Sequence, residues 1–140
     1  MYSLVQFSTN MDEGYTNQFS KDASGNSLCL DLSGNNIEMR PCGNFTGQQW
    51  TSTPWANTSY YKLQNKSDTT KCLNNNLKMF KCVDNSSNGQ RWILPTAENP
   101  KFQNAVNSMN CLDVINDGTN NKLQMAACAN VSGQNWSQKT

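Results

Sequence analysis

The chain of 140 residues contains no histidine, few charged residues and no long apolar run. The missing imidazole excludes Ser-His-Asp and Cys-His catalysis and every histidine-ligated zinc site. Eleven basic and ten acidic residues leave a net charge of +1. This balance argues against nucleic acid as the main partner, because such binding needs a concentrated basic surface. No segment approaches the ~20 apolar residues of a membrane span, and residues 1–10 lack the basic start and apolar core of a signal peptide.

What the chain does contain is neutral polar residues, with 22 Asn, 14 Ser, 11 Thr and 10 Gln, together with six Cys and four Trp. An even number of Cys without a Cys-x-x-Cys motif predicts disulfides and a secreted protein rather than a metal site. We expect neither a metal nor a cofactor. Six Asn-x-Ser/Thr sequons suit a secreted surface, although an Asn-rich chain also generates them by chance. They begin at Asn44, Asn57, Asn65, Asn85, Asn130 and Asn135.

Three landmarks recur three times in the same order, which is typical of a repeat architecture. They are a Cys-Leu pair, an apolar-x-Met-x-x-Cys segment and a Gly-Gln-x-Trp motif. The Cys-Leu pairs begin at Cys29, Cys72 and Cys111, the second segments contain Met39, Met79 and Met125, and the motifs end at Trp50, Trp92 and Trp136. The landmarks predict repeats at about 15–53, 54–94 and 95–140, which follow an N-terminal arm or edge strand at 1–14.

The local pattern is that of β-strands, because apolar and polar residues alternate over four to six positions between turn-forming clusters. About four strands per repeat predict an all-β fold of about twelve strands. The Trp, Met and Cys-Leu leucine of each repeat are predicted to form the core. Six Cys allow 15 pairings, and the repeat symmetry selects the pairing within each repeat. The predicted disulfides are Cys29–Cys42, Cys72–Cys82 and Cys111–Cys128.

This combination of Cys-Leu-Asp, a second Cys and Gln-x-Trp resembles the ricin B-type lectin family over residues 15–140. The resemblance extends to the carbohydrate-binding modules found on xylanases. It implies a β-trefoil, in which a six-stranded barrel is capped by three hairpins. It also implies up to one shallow sugar pocket per repeat and no catalysis by the domain itself.

The family's sugar pocket uses the Asp of Cys-Leu-Asp, a polar residue four before the second Cys and an aromatic residue two before it. An Asn-Gln pair that opens Gln-x-Trp completes the pocket. Such a set suits a sugar, because carboxylates and amides bind hydroxyls and an aromatic face stacks on the sugar ring.

No repeat of this chain carries the complete set. The third repeat has Asp113, Gln124 and Gln134, but Ala126 stands at the aromatic position. The first has Asp31, Glu38 and Gln48, with Arg40 at the aromatic position. The second keeps the aromatic residue Phe80, with Asn74 and Lys78 at the two polar positions. Glycine replaces the Asn in all three repeats, at Gly47, Gly89 and Gly133.

The resemblance therefore implies a sugar-binding module of a secreted protein, with weak sites and the third repeat most intact. Galactose-type or xylan-type glycans are the implied partners, alongside a possible parent catalytic or toxin domain. The alternative is a lectin-derived scaffold that recognises protein, as a secreted effector or toxin subunit, because the pocket aromatics and Asn residues are largely lost. An enzyme is not predicted, since nothing places two carboxylates together as a glycosidase needs. The chain would at most be an accessory domain of a secreted enzyme.

Overall fold

A computed structural model describes residues 15–21, 27–84, 89–106, 109–116 and 121–139. The predicted arm at 1–14 and the sequon at Asn85 lie outside these ranges. The described residues form twelve β-strands and two 3₁₀ turns, and they contain no α-helix. Accordingly, they include no helix with the length and apolarity required to cross a lipid bilayer. The prediction of an all-β fold with about twelve strands is confirmed.

The strands are short, and every strand pair is antiparallel. Their bounds are β1 Asn17–Lys21, β2 Ser27–Ser33, β3 Asn36–Pro41, β4 Trp50–Pro54, β5 Tyr61–Asn65, β6 Lys71–Leu73, β7 Met79–Lys81, β8 Trp92–Ile93, β9 Gln103–Asn104, β10 Asn110–Asn116, β11 Asn121–Ala127 and β12 Ser137–Lys139. The 3₁₀ turns span Thr46–Gln48 and Ser132–Gln134.

The strands form three sheets. Their orders are β12-β1-β2-β3, β11-β10-β9-β8-β5-β4 and β6-β7. The pairing of β12 with β1 joins the two ends of the described chain. Reciprocal backbone hydrogen bonds of 2.8 and 2.9 Å between Thr16 and Trp50 connect the first two sheets.

One hairpin in each repeat carries the predicted site positions. The first hairpin, β2–β3, has six residue pairs and a two-residue turn in which Gly34 adopts a φ of +64°. The second, β6–β7, has only three residue pairs, whereas the third, β10–β11, has seven. The hairpin of the second repeat is therefore the shortest of the three.

The core contains one tryptophan from each repeat. Trp50, Trp92 and Trp136 are 0–2% exposed and pack with the leucines that follow the first Cys of each repeat. Phe102 fills the space between Trp92 and Trp136, because its ring meets each indole edge-to-face at a centroid distance of 5.8 Å. The three predicted disulfides are confirmed, so each hairpin is cross-linked beside the core.

Candidate functional site

Each hairpin turns one face toward the core and the other face outward. Met39, Met79 and Met125 pack on the core, so their neighbours in sequence point outward. Asp31 lies directly opposite Glu38 in the first hairpin, and Asp113 lies opposite Gln124 in the third. In the second, the backbone N–H of Asn74 donates to the Lys78 carbonyl at 2.9 Å. The fold thus brings together the two polar positions of each repeat.

The outer face of each hairpin, where the predicted site residues lie, is called the pocket of that repeat. In the third pocket, an amide and a carboxylate form a hydrogen-bonded pair at the surface. Gln124 Nε2 donates to Asp113 Oδ2 at 3.0 Å. Gln124 is exposed and Asp113 is half-buried. A carboxylate has about four acceptor positions, so Asp113 keeps acceptor capacity beyond this one bond. Ala126, opposite Cys111, leaves the neighbouring position without an aromatic ring.

In the first pocket, charged side chains bind each other. Arg40 Nη2 donates to Glu38 Oε1 at 2.9 Å, and this hydrogen bond and the Glu38 charge raise the pKa of Arg40. Asp31 is 7% exposed and accepts from Gln48 Nε2 at 3.2 Å. The predicted residues of this repeat are therefore close together, with Glu38 engaged at the surface and Asp31 buried beneath it.

In the second pocket, the aromatic ring is present and accessible. Phe80 lies opposite Cys72 and is 49% exposed. Lys78 is exposed, and Asn74 is half-buried. Because Lys78 and Phe80 flank the core-facing Met79, both point to the outer face of the hairpin.

The Gln of each Gln-x-Trp motif is buried and binds the backbone on both sides of the second Cys. Gln48 Nε2 donates to Pro41 O at 3.1 Å, and its Oε1 accepts from Gly43 N at 2.9 Å. The same two bonds join Gln90 to Lys81 O and Val83 N, and Gln134 to Ala127 O and Ala129 N, over 2.8–3.0 Å. Gln48 and Gln134, both predicted to contact sugar, therefore hold the pocket floor from inside.

The Trp of each motif fixes the opposite strand of the hairpin. The indole Nε1 atoms of Trp50, Trp92 and Trp136 donate to the carbonyl oxygens of Leu30, Leu73 and Leu112 at 2.9–3.0 Å. Each of these leucines directly precedes the Asp or Asn of the pocket. Gln-x-Trp consequently holds both strands of its hairpin, one through the Gln and the other through the Trp.

The glycine before each Gln-x-Trp motif lies against the pocket. A Cβ on Gly47 would lie 2.5 Å from Asp31 Oδ1, and one on Gly133 would lie 2.6 Å from Asp113 Oδ1. The same atom on Gly133 would also collide with the carbonyl oxygen of Val114. A side chain does not fit at either position. Glycine at the position where the family has Asn therefore allows the turn to pack closely against the Asp carboxylate.

Comparison with known proteins identifies the family. Residues 17–136 match the family model described as the ricin-type beta-trefoil lectin domain. The chain belongs to this family. The resemblance to the ricin B-type lectin family is thereby confirmed, and it places this lectin domain among carbohydrate-binding rather than catalytic domains. No curated protein sequence is similar enough to count as a match.

Three solved structures illustrate the shared fold. A mosquitocidal holotoxin superposes with a TM-score of 0.74 at 20% identity over 93% of this chain. The lectin domain spans only 18% of that holotoxin chain. The C-half of an earthworm R-type lectin, in complex with GalNAc, gives 0.67 at 12% identity, covering 89% of this chain and 98% of its own. The Macrolepiota procera ricin B-like lectin, in complex with lactose, gives 0.60 at 19% identity, covering 92% and 97%.

Two buried asparagines of this lectin domain were not identified from its sequence. Asn65 Nδ2 donates to Gly47 O, and Asn104 Nδ2 donates to Gly89 O, both at 2.8 Å. Each lies opposite the Trp of the preceding repeat, and so fixes the glycine turn beside the pocket. Each also lies seven residues before the first Cys of its own repeat, a spacing from which their equivalence could have been found. Asn65, the first residue of one sequon, therefore has a buried side chain that holds the fold together.

The outer faces of the hairpins carry Glu38, Phe80 and Gln124. The cleft of about 420 Å³ beside Trp136 is lined by none of the residues predicted to contact sugar. Across the ranges that the structure describes, no group of three or more His, Cys, Asp or Glu side chains is placed to hold a metal ion. The outer faces of the three hairpins therefore offer hydrogen bonds, charge and one aromatic face.

Proposed function

We propose that this lectin domain binds neutral galactose-type sugars at the outer face of its third hairpin. The pair formed by Asp113 and Gln124 carries the proposal, because it combines a carboxylate with a free amide oxygen at an accessible surface. Two neighbouring sugar hydroxyls can donate to the Asp113 carboxylate, while Gln124 Oε1 accepts from a third. Gln134 acts as a positioning residue, since its amide holds the strand behind the pocket.

The relatives support a galactose-type ligand. Lactose and GalNAc, present in the two lectin complexes described above, share the galactose configuration. Both complexes are with lectins that have the same fold as this chain. Xylan-type sugars are the second class that the family resemblance implies, and they serve as the comparison ligand in the experiment below.

Affinity at this single pocket is proposed to be weak. Ala126 offers no ring for stacking, which is worth about 0.5–1.5 kcal/mol where an aromatic pair forms. A millimolar dissociation constant corresponds to about −4 kcal/mol. The first pocket would add a second weak site through Asp31 and Glu38, with Gln48 positioning Asp31. Multivalent display or a tethered partner would raise the avidity.

A larger secreted protein is the proposed setting for such a module. The three disulfides favour an oxidising compartment. The similar domain in the mosquitocidal holotoxin is a small part of its chain, which makes a toxin or catalytic partner domain a natural arrangement.

Titration with lactose and with xylobiose tests the sugar proposal. We expect lactose to bind at millimolar concentration and Asp113→Asn to weaken it at least tenfold, because an acceptor becomes a donor. Asp84→Asn is the matched control, since it removes the same charge from an exposed side chain elsewhere. Unchanged lactose binding by Asp113→Asn would remove the third hairpin from the site. No sugar binding together with specific capture of a protein would instead support the lectin-derived interaction scaffold.

A further inference from the structure

The second repeat carries the positive charge of the chain. Residues 54–94 contain five lysines and one arginine against Asp68 and Asp84, a net charge of +4 in a chain whose total is +1. Asp68 approaches Lys71 at 3.7 Å, and Asp84 approaches Arg91 at 3.1 Å. Within the described ranges, neither of the other two lysines of the hairpin, Lys78 and Lys81, has a carboxylate partner.

The second pocket also has the opposite hydrogen-bonding polarity to the other two. Asn74 Oδ1 is buried without a partner and lies against Gly89, where a Cβ would be 2.5 Å away. Asp31 Oδ1 and Asp113 Oδ1 occupy the same place beside their own glycines. The other terminal atom of the side chain differs between the pockets. It is the acceptor Oδ2 in Asp31 and Asp113, and it is the donor Nδ2 in Asn74.

The remaining two positions complete this reversal. Lys78 replaces the amide of Gln124 with an ammonium group, which only donates hydrogen bonds. Phe80 supplies an exposed ring on the same face, where the first and third pockets have Arg40 and Ala126. Two donors, one of them charged, and an aromatic face fit a ring-shaped ligand that carries an anion.

We propose that the second hairpin binds an anionic saccharide, a sugar unit with a carboxylate or sulfate group. Lys78 Nζ pairs with the anion, Asn74 Nδ2 donates to an oxygen of the sugar, and Phe80 stacks on the ring. The net charge of +4 in this repeat attracts such a ligand from a distance within the Debye length, ~8 Å at physiological salt. This site is separate from the neutral-sugar site proposed at Asp113.

A short saccharide fits this hairpin better than single-stranded nucleic acid. Nucleic acids bind to grooves in which several aromatic side chains stack successive bases. Phe80 is the only exposed aromatic side chain among the described residues of this repeat. The three-pair hairpin offers room for one ring on this face.

Two probes that differ only in charge test the proposal. Digalacturonate and its methyl ester share ring size and hydroxyls, but the ester is neutral. In the Asp113→Asn background, which removes the site proposed for neutral galactose-type sugars, we expect the acid to bind at least fivefold more tightly than the ester. Its affinity should fall as salt is raised, because the charge–charge contact is screened. Equal binding of acid and ester would overturn the proposal.

Three variants separate a pocket from a general charge effect. Lys78→Gln is expected to weaken digalacturonate binding about tenfold, as loss of a charge-assisted hydrogen bond would do. Lys81→Gln removes the same charge from β7, three positions from Lys78, and is expected to change binding less than twofold. Phe80→Ala should weaken the acid and the ester alike.

If Lys78→Gln and Lys81→Gln lowered the affinity for digalacturonate equally, the ligand would be attracted by the overall charge of the repeat. That result would overturn the proposal of a pocket at Lys78. Tighter binding of a short single-stranded DNA, weakened by the same variants, would replace the saccharide with nucleic acid. Asp113→Asn should leave digalacturonate binding unchanged, so failure of this proposal is distinguishable from failure of the lactose site.

Discussion

The second and third hairpins are built on the same floor and present opposite chemistry at their outer faces. In both, a buried Gln binds the backbone around the second Cys, and a Trp indole binds the leucine before the pocket. Above that floor, one pocket has Asp113 and Gln124, and the other has Asn74 and Lys78. The comparison shows that the Gln-x-Trp motif binds the backbone in the same way in both hairpins, and we propose that two or three surface side chains determine the ligand.

The largest predicted effect concerns the shared floor. Gln90→Ala and Gln134→Ala should each lower the free energy of unfolding by about 2 kcal/mol, because two backbone groups lose their hydrogen bonds inside the protein. We expect the two values to agree within about 1 kcal/mol, since the bonds are equivalent. Urea denaturation monitored by tryptophan fluorescence measures both.

Gln124→Ala is the matched control for these variants. The same substitution at an exposed Gln should change stability by less than about 0.5 kcal/mol. If Gln134→Ala were equally harmless while lactose binding disappeared, Gln134 would be a direct sugar contact, as its sequence position predicts, and not a positioning residue.

The second largest predicted effect comes from an exchange of surface side chains between the two hairpins. Asn74→Asp combined with Lys78→Gln gives the second hairpin the polar pair of the third and keeps Phe80. In the Asp113→Asn background, this exchange should restore lactose binding by about tenfold, or about 1.4 kcal/mol. It should abolish the preference for digalacturonate over its ester. Calorimetric titration with the three ligands measures both changes, and restored lactose binding without loss of the anion preference would place the anion elsewhere.

The smallest predicted effect concerns the turn of the second hairpin. Leu77 adopts a φ of +62°, a left-handed conformation that is unfavourable for leucine, while its side chain packs against the core. Leu77→Gly and Leu77→Ala both lose that packing, but only glycine removes the backbone strain. Leu77→Gly should therefore be more stable than Leu77→Ala by about 1 kcal/mol.

Thermal denaturation of the two Leu77 variants is the measurement. Gly34 provides the control in the first hairpin, because it adopts a similar φ of +64° with open space around its Cα. Gly34→Ala should lower the free energy of unfolding by about 1 kcal/mol, because alanine is strained in the same left-handed conformation. If Leu77→Ala proved the more stable of the pair, the left-handed turn would not be strained.

The fold could be predicted from the sequence because the repeats supply the same information three times. Landmarks at matching positions predict an all-β fold, the three disulfides and the family. The core partner Phe102 and the buried Asn65 and Asn104 were not predicted. Asn65 and Asn104 each lie seven residues before the first Cys of their repeat, but spacing alone does not tell which Asn of an Asn-rich chain is buried.

The site could be predicted only in part, since sequence position does not tell which way an amide points. Gln124 and Gln134 are the same residue type and are both assigned to the pocket by the family pattern. Gln124 is at the surface, whereas Gln134 is buried, and both its amide nitrogen and its amide oxygen form hydrogen bonds with the backbone. Likewise, Gly133 stands where an Asn is expected. The sequence does not indicate that a side chain there would collide with Asp113, because this close approach arises only in the folded chain.

Assignment of the two ligands to two hairpins by amide chemical-shift mapping tests the central claim most directly. In one isotope-labelled sample, lactose should shift the signals of residues 110–116 and 121–127 and leave those of residues 71–81 in place. Digalacturonate should do the reverse, with the largest shifts at Lys78 and Phe80. Both ligands shifting the same hairpin, or neither shifting any hairpin, would contradict the account of two pockets with opposite polarity.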